Sequence, residues 1–334
     1  MREDATTFRI ELGARDASPE GLTAAARFAE EYGYDGVQAA ETKHDPLIGC
    51  AVAGAATERV RLSTAIAVAF ARSPMSLAQA ANDVQLATRG RFALGLGSQV
   101  QAHIEKRFSM PWSAPAPRMR EFIAAIRAIW RSWETGERLA FRGEHYTHTL
   151  MTPFFDPGPN PFGSPDIWLA AVGPAMTKLA GEAADGFVAH AFTTRDYLSD
   201  VSLPRLAAGA ESAGRERPDV VLQPFVIAAA DEASRAVQER HVREQIAFYG
   251  STPSYRAVME HHGWEEAADR LHAASRRGEW AQMGAEVTDD MLDAFSVAGR
   301  PEDIRNRLEE RFGGLATTVC VNAPATEEEL AAIA

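Results

Sequence analysis

A chain of 334 residues, 46% of them hydrophobic, is long enough to bury one large core or two modest ones, and this composition excludes a disordered or fibrous protein. A formal net charge of −12 argues against nucleic-acid and anionic-membrane partners. The two cysteines, Cys50 and Cys320, lie far apart in apolar surroundings, so no disulfide framework and no metal site is expected. The opening MREDATTFRIELGA has no apolar stretch of signal-peptide length, and no run reaches the roughly 18 apolar residues of a spanning helix, so a cytoplasmic protein is expected.

Strands and helices alternate along the chain. Phe8 to Ala14 reads as a strand, and Ser18-Pro19-Glu20 opens a helix to Tyr32 with Pro at its first position. Gly33 to Gly36 turns into a strand at Val37 to Ala40, and the next helix runs from Pro46 to Ala56. Val60 to Val68 is a strand rich in β-branched residues, Pro74 to Thr88 a helix, and Phe92 to Leu96 a short buried strand. Beyond the helix Arg118 to Thr135, strands are expected at Ile167 to Val172, Gly186 to His190, Val220 to Ala229 and Thr317 to Val321. Helices at Ala175 to Ala184, Asp196 to Ala213, Ala233 to Phe248 and Glu302 to Arg311 complete the series. Eight strands, nearly all followed by helices, predict a parallel sheet closed into a (β/α)8 TIM barrel, read as one domain over residues 1–334.

Two segments depart from the repeat. Residues 136–166 hold a hairpin pattern (LAFRGEHYTH) and then a Pro- and Gly-rich stretch, and residues 251–297 form a helical insertion. Such insertions either cover the site or serve subunit packing, which Trp264, Trp280 and Met283 would suit.

In a barrel the chemistry belongs at the C-terminal ends of the strands. In RFALGLGSQV, residues 91–100, Gly95 and Gly97 either permit tight strand packing or let a flat ligand reach the backbone, with Ser98 and Gln99 facing it. It is not a dinucleotide fingerprint, because Val100 stands where the third glycine belongs. After the second strand, Glu41-Thr42-Lys43-His44-Asp45 is a dense polar cluster, either loop solvation with helix capping or part of a site. After the fifth, Val172-Gly173-Pro174-Ala175-Met176 either merely starts a helix or offers its first amides to a phosphate. No P-loop, HExxH pair or GxSxG elbow is present.

GYDGVQAAETKHDP, RLSTAIAVAFARSPMSLAQAANDVQLATRGRFALGLGSQ, MREFIAAIRAIW, RGEHY, IWLAAVGPAMTKLAGEAADGF and AGRPEDIRNRL together resemble the bacterial-luciferase-like oxidoreductase superfamily, most closely its actinobacterial branch that uses the deazaflavin coenzyme F420. The resemblance spans nearly the whole chain. It implies a (β/α)8 barrel, usually a homodimer, with the ring of F420, or alternatively FMN, across the C-terminal strand ends. Thr64, Ala65, Ile66 and a cis peptide between Ala65 and Ile66 would support the ring, and the turn Val172 to Met176 would take the phosphate. Relatives often carry Asp-His after strand two and Glu after strand four; here Glu41-Thr42 and Gln99-Val100 stand there, so the substrate does not carry over.

The expected activity is hydride transfer between F420 and a small organic substrate. The alternatives are an FMN-dependent monooxygenase using dioxygen and a non-catalytic flavin-binding protein of the same fold. His44 is the first candidate for proton transfer, with Glu41 beside it and Thr42 bonding the cofactor ring. His103, the substitute for His44, is placed with Trp112 on the substrate side. The remaining histidines, including His261 and His262, are read as surface residues.

Overall fold

Eight parallel strands close on themselves in the computed structural model, which describes residues 8–334. Met1 to Thr7, the first part of the stretch read for a signal peptide, lie outside the described residues. The barrel strands are β1 (Arg9–Gly13), β2 (Gly36–Ala39), β3 (Arg61–Thr64), β4 (Phe92–Gly97), β5 (Asp166–Ala171), β6 (Gly186–Ala189), β7 (Asp219–Leu222) and β8 (Thr318–Val321). Each pairs in parallel with the next, and β8 with β1 closes the expected (β/α)8 barrel. Nearly all strand residues are buried, as a sheet covered on both faces requires.

The outer layer comprises α1 (Pro19–Tyr32), α2 (Pro46–Ala55), α3 (Pro74–Ala87), α4 (Pro115–Thr135), α5 (Pro174–Ala183), α6 (Leu203–Ser212), α7 (Glu232–Gly250) and α8 (Pro301–Phe312). Ser18, Asp45 and Ser73 each accept a first-turn amide, and Pro follows each, so sequence alone sets the start of α1, α2 and α3. Among the described residues no helix is long and apolar enough to cross a membrane.

Four expected elements change. The strand over Val60 to Val68 breaks at a cis peptide between Ala65 and Ile66, the bond implied by the resemblance, and Ala67–Val68 resumes against β4. The strand over Val220 to Ala229 also divides. Pro224 has no N–H for a ladder, so β7 ends at Leu222 and Phe225–Ala228 pairs with Ser296–Gly299 in a separate sheet. That sheet takes the last two residues of the expected insertion 251–297, which is otherwise largely helical to Phe295. The helix expected over Asp196 to Ala213 widens to a π turn at Leu198–Ser202, where Pro204 has no N–H to donate to the carbonyl four residues back.

Three apolar clusters organise the packing. The largest lies between strands and helices and includes Ile10, Leu62, Leu94, Leu169 and Val319. The insertion has its own, around Phe192, Ile246, Met259, Leu271 and Phe295. A small third cluster, Ala93, Trp168, Val188 and Val221, fills the barrel lumen. Side chains alternate along a strand, so residues two positions away from these face the lumen too.

The lumen also holds a charge. Glu11, with no exposed surface, accepts from Arg61 Nε at 2.7 Å and from Gln38 Nε2 at 2.6 Å. Gln223 donates to Gln38 at 2.8 Å, and Arg61 reaches Thr318 Oγ1 at 3.1 Å while its guanidinium lies 4.6 Å from the Trp168 ring centre. A Cβ on Gly36 would stand 2.6 Å from Glu11 Oε1, and one on Gly186 2.3 Å from Trp168, so the two glycines leave room for this layer.

Removing one partner of a buried pair leaves an uncompensated charge. Arg61→Met should therefore cost about 3–5 kcal/mol in urea unfolding, and adding Glu11→Gln should recover most of it. A loss below about 1 kcal/mol would mean that water already solvates Glu11.

Candidate active site at the barrel mouth

Extending the lumen parity by one more step toward the C-terminal ends names the mouth. Ala93, Trp168, Val188 and Val221 are followed two residues on by Gly95, Ala170, His190 and Gln223. Asn322 joins them from β8, since a Cβ on Gly13 would stand 1.5 Å from its Oδ1. The mouth therefore has a sector of small residues and backbone at β3 to β5 and a polar, aromatic sector from β6 onward.

In the first sector most polar side chains are already spent. Thr64 Oγ1 donates to Gly95 O at 2.8 Å and accepts Gly95 N–H at 2.9 Å, so it joins β3 to β4 and is not free for a ligand. Gly95 and Gly97 serve packing: a Cβ would stand 1.9 Å from Thr64 O at the first and 2.7 Å from Ile66 at the second. Gln99 sits at a φ of 58°, and its Oε1 accepts the N–H of Val100. Ala65, Ile66, Ser98 and Val172 remain half-exposed. Gly173 faces open space and gives α5 no side-chain cap, so the amides of Ala175 and Met176 are free to meet an anion.

The polar cluster after β2 is resolved by an arginine from another loop. Arg72 donates from Nη1 to Glu41 Oε2 at 2.7 Å and from Nη2 to Asp45 Oδ2 at 2.8 Å. Glu41 Oε2 also accepts Val68 N–H at 2.7 Å, and Asp45 caps α2 through Leu47 N–H. Glu41 is thus a clamp between two loops, which departs from the proton-transfer role expected for it. Thr42 and His44 are exposed, and Arg107 holds the Thr42 carbonyl. His44 lies near Asp16, whose carboxyl is held below its usual range chiefly by the Ser18 amide and hydroxyl, with a smaller contribution from His44. His103 is exposed on the short helix Gln101–Lys106, which periodicity is too brief to reveal. Trp112 is half-buried, edge-on to Phe70 at 6.0 Å.

The second sector contains what the sequence reading missed. His190 Nδ1 accepts the N–H of Phe192 at 3.0 Å, and Nε2 lies 3.1 Å from the Tyr255 hydroxyl. A nitrogen that accepts an amide proton carries none itself, so the neutral ring is protonated at Nε2 and donates to Tyr255. Tyr249 stands edge-on to the imidazole at 4.7 Å and Tyr255 lies tilted against it at 4.6 Å. Burial pulls the His190 pKa down to about 4, and burial, with a smaller effect of Tyr249, pushes Tyr255 up to about 12. Nearby, Thr194 Oγ1 and His262 Nε2 are 2.7 Å apart, and His262 stacks on Trp264 at 4.5 Å. His190 and His262 are half-buried and tie the loop after β6 to the insertion, whereas His261 is exposed, as expected. Met283 is buried in the insertion core, whereas Trp280 is exposed.

Residues 5–318 match the model of a family described as luciferase-like monooxygenase. An uncharacterised protein of Mycobacterium tuberculosis is 46% identical over 91% of this chain and 94% of its own length. An F420-dependent glucose-6-phosphate dehydrogenase of Nakamurella multipartita is 30% identical over 76% of each. The solved coenzyme F420 dependent tetrahydromethanopterin reductase of Methanopyrus kandleri has a like fold, with a TM-score of 0.79 at 22% identity over 98% of this chain and 96% of that one.

A neutral, half-buried His190 has a consequence for stability. With its pKa lowered from 6.5 to about 4, the unfolded chain takes up the proton first as the pH falls. Stability is complete above pH 6.5 and is lost as the pH approaches 4, by about 3 kcal/mol for a shift of this size. His148 and His262, also lowered by burial, act in the same direction. Urea unfolding across this range should show a shallower loss for His190→Gln than for the unaltered chain; identical slopes would assign the effect to other groups.

Proposed function

The chain belongs to the luciferase-like monooxygenase family, and on that premise we propose that it is an oxidoreductase that moves a hydride between coenzyme F420 and a small organic substrate at the barrel mouth. The observation that carries this reading is the open start of α5. Gly173 leaves space above two free amides at the positive end of a helix, next to the small-residue sector, which suits a flat ring with an anionic tail. F420 is preferred to FMN because a relative 30% identical to this chain is named for it.

When bound, the deazaflavin supplies a carbon that gives or takes a hydride; the protein binds it, orients it and keeps water out. We assign Ala65, Ile66 and Val172 to the bed of the ring and Gly173 to Met176 to the anionic tail. Thr42 and Ser98 keep unspent hydroxyls at the rim for polar contacts. We also propose that a second copy covers α2, whose Ile48 and Val52, one turn apart, are 59% and 47% exposed on a helix without charged residues. Sedimentation should then give twice the chain mass, and Ile48→Glu should halve it.

The word monooxygenase in the family's description supports a second reading, in which dioxygen is used and FMN takes the place of F420. Separate titrations with F420 and FMN, followed by turnover with and without oxygen, divide the two. F420 should bind at least about tenfold more tightly, a difference of about 1.4 kcal/mol. Gly173→Asp should leave folding intact, because its Cβ meets open space and Asp is a favoured N-cap, yet weaken F420 by about tenfold by placing a carboxylate against the tail. Unchanged affinity would move the anion site elsewhere.

A further inference from the structure

We propose that Tyr255, oriented by His190, donates the hydrogen bond that holds the oxygen of a small, neutral carbonyl substrate with an apolar body. The inference rests on reading the mouth as a hydride-transfer site, and it concerns the sector opposite the cofactor bed.

Three observations carry it. First, His190 follows Val188 by two residues, so it occupies the mouth, and Tyr255 lies against it. Second, the hydrogen bonds fix the direction of the chain of donors. Phe192 N–H donates to Nδ1, Nε2–H donates to Tyr255 Oη, and among the described residues the phenol's own proton meets no acceptor. A half-buried donor left over at a mouth is suited to a ligand oxygen. Third, the surroundings are aromatic and uncharged. Phe192 lies 5.7 Å from Tyr255, Tyr249 5.5 Å from it, and Phe225 6.5 Å from Tyr249. Burial is the leading cause of the shifts of His190, Tyr249 and Tyr255, and among the described residues no charged side chain contributes to any of them. A carboxylate or phosphate ester would lose its hydration here with no cation to replace it, whereas a ketone or aldehyde needs only one donor.

The chemistry balances with a reduced deazaflavin as the hydride source. As a hydride, one proton with two electrons, adds to the carbonyl carbon, the C=O π pair moves onto oxygen. That oxygen takes the Tyr255 proton and becomes an alcohol. The phenolate left behind accepts the His190 N–H bond until water reprotonates it. Tyr255 touches the substrate on this account, and His190 is a positioning residue.

Benzamide, an inert neutral carbonyl compound, is the probe, titrated calorimetrically into the full chain with and without F420. It should bind the unaltered protein, and Tyr255→Phe should weaken it about tenfold, the scale of one hydrogen bond. His190→Phe should do the same, while His190→Gln, whose amide can still donate to the phenol, should restore affinity. Benzoate should bind less well than benzamide. No benzamide binding, equal binding by Tyr255→Phe, no rescue by His190→Gln, or benzoate binding as tightly would each overturn the proposal. Failure of F420 to bind, with Tyr255-dependent benzamide binding intact, would remove the cofactor reading alone.

Discussion

A carboxylate without exposed surface stands inside the barrel, and much of the strand arrangement is what keeps it paired. Glu11 on β1 meets Arg61 on β3 and Gln38 on β2, while Gln223 beyond β7 and Thr318 on β8 extend the network. Ionised groups lose most of their hydration in such a place, so the pair supplies little net stability; its value lies in register. A slip of one residue in β1 would send Glu11 into the helix-facing core and Ile10 or Leu12 into the lumen, stranding both Arg61 and the carboxylate.

That parity, once fixed, determines the mouth. The same alternation that places Trp168 and Val188 in the lumen carries small residues to the end of β4 and β5 and His190 to the end of β6. One side of the opening is thus shallow and backbone-rich, able to accept a flat ring, and the other is walled by imidazole and phenol rings. The insertion core lies behind that wall, joined to β6 by His190 to Tyr255 and by Thr194 to His262. Phe192, stacked on Phe295 at 4.4 Å, adds an apolar contact to these two hydrogen bonds, and together they hold the insertion against the wall.

The barrel was legible in the sequence because each strand is a short apolar run and several helices begin at a Ser-Pro or Asp-Pro step. The breaks within strands were less so: Pro224 stands in a run that otherwise reads as continuous β. Loop chemistry was harder still. Glu41 and Asp45 are visible as charges, but Arg72, which pairs with both, is 31 and 27 residues distant and signals nothing by spacing. Gly95 and Gly97 left two readings open, and packing against Thr64 and Ile66 accounts for both. His190 looked like the polar end of a buried strand. The available clue was its two-residue spacing from Val188, which identifies the face but becomes informative only when the barrel shows which face is the lumen.

The contrast between Glu41 and Tyr255 follows from how many donors each oxygen already serves. Glu41 Oε2 accepts from both Arg72 and the Val68 amide, so following a substrate would leave the Val68 N–H unpaired and take from the largely buried Arg72 one of the two carboxylates it holds. Each such loss costs about 1–3 kcal/mol, which is a large fraction of what a general acid or base contributes to a barrier. Tyr255 has the opposite balance. It accepts one bond, from His190, and nothing within the described residues takes its proton. A group whose acceptor side is fixed and whose donor side is free can engage a ligand without breaking anything the fold relies on. The loop with the greatest density of charge is therefore the scaffold of this mouth, and the uncharged aromatic wall is where a donor proton stays free among the described residues.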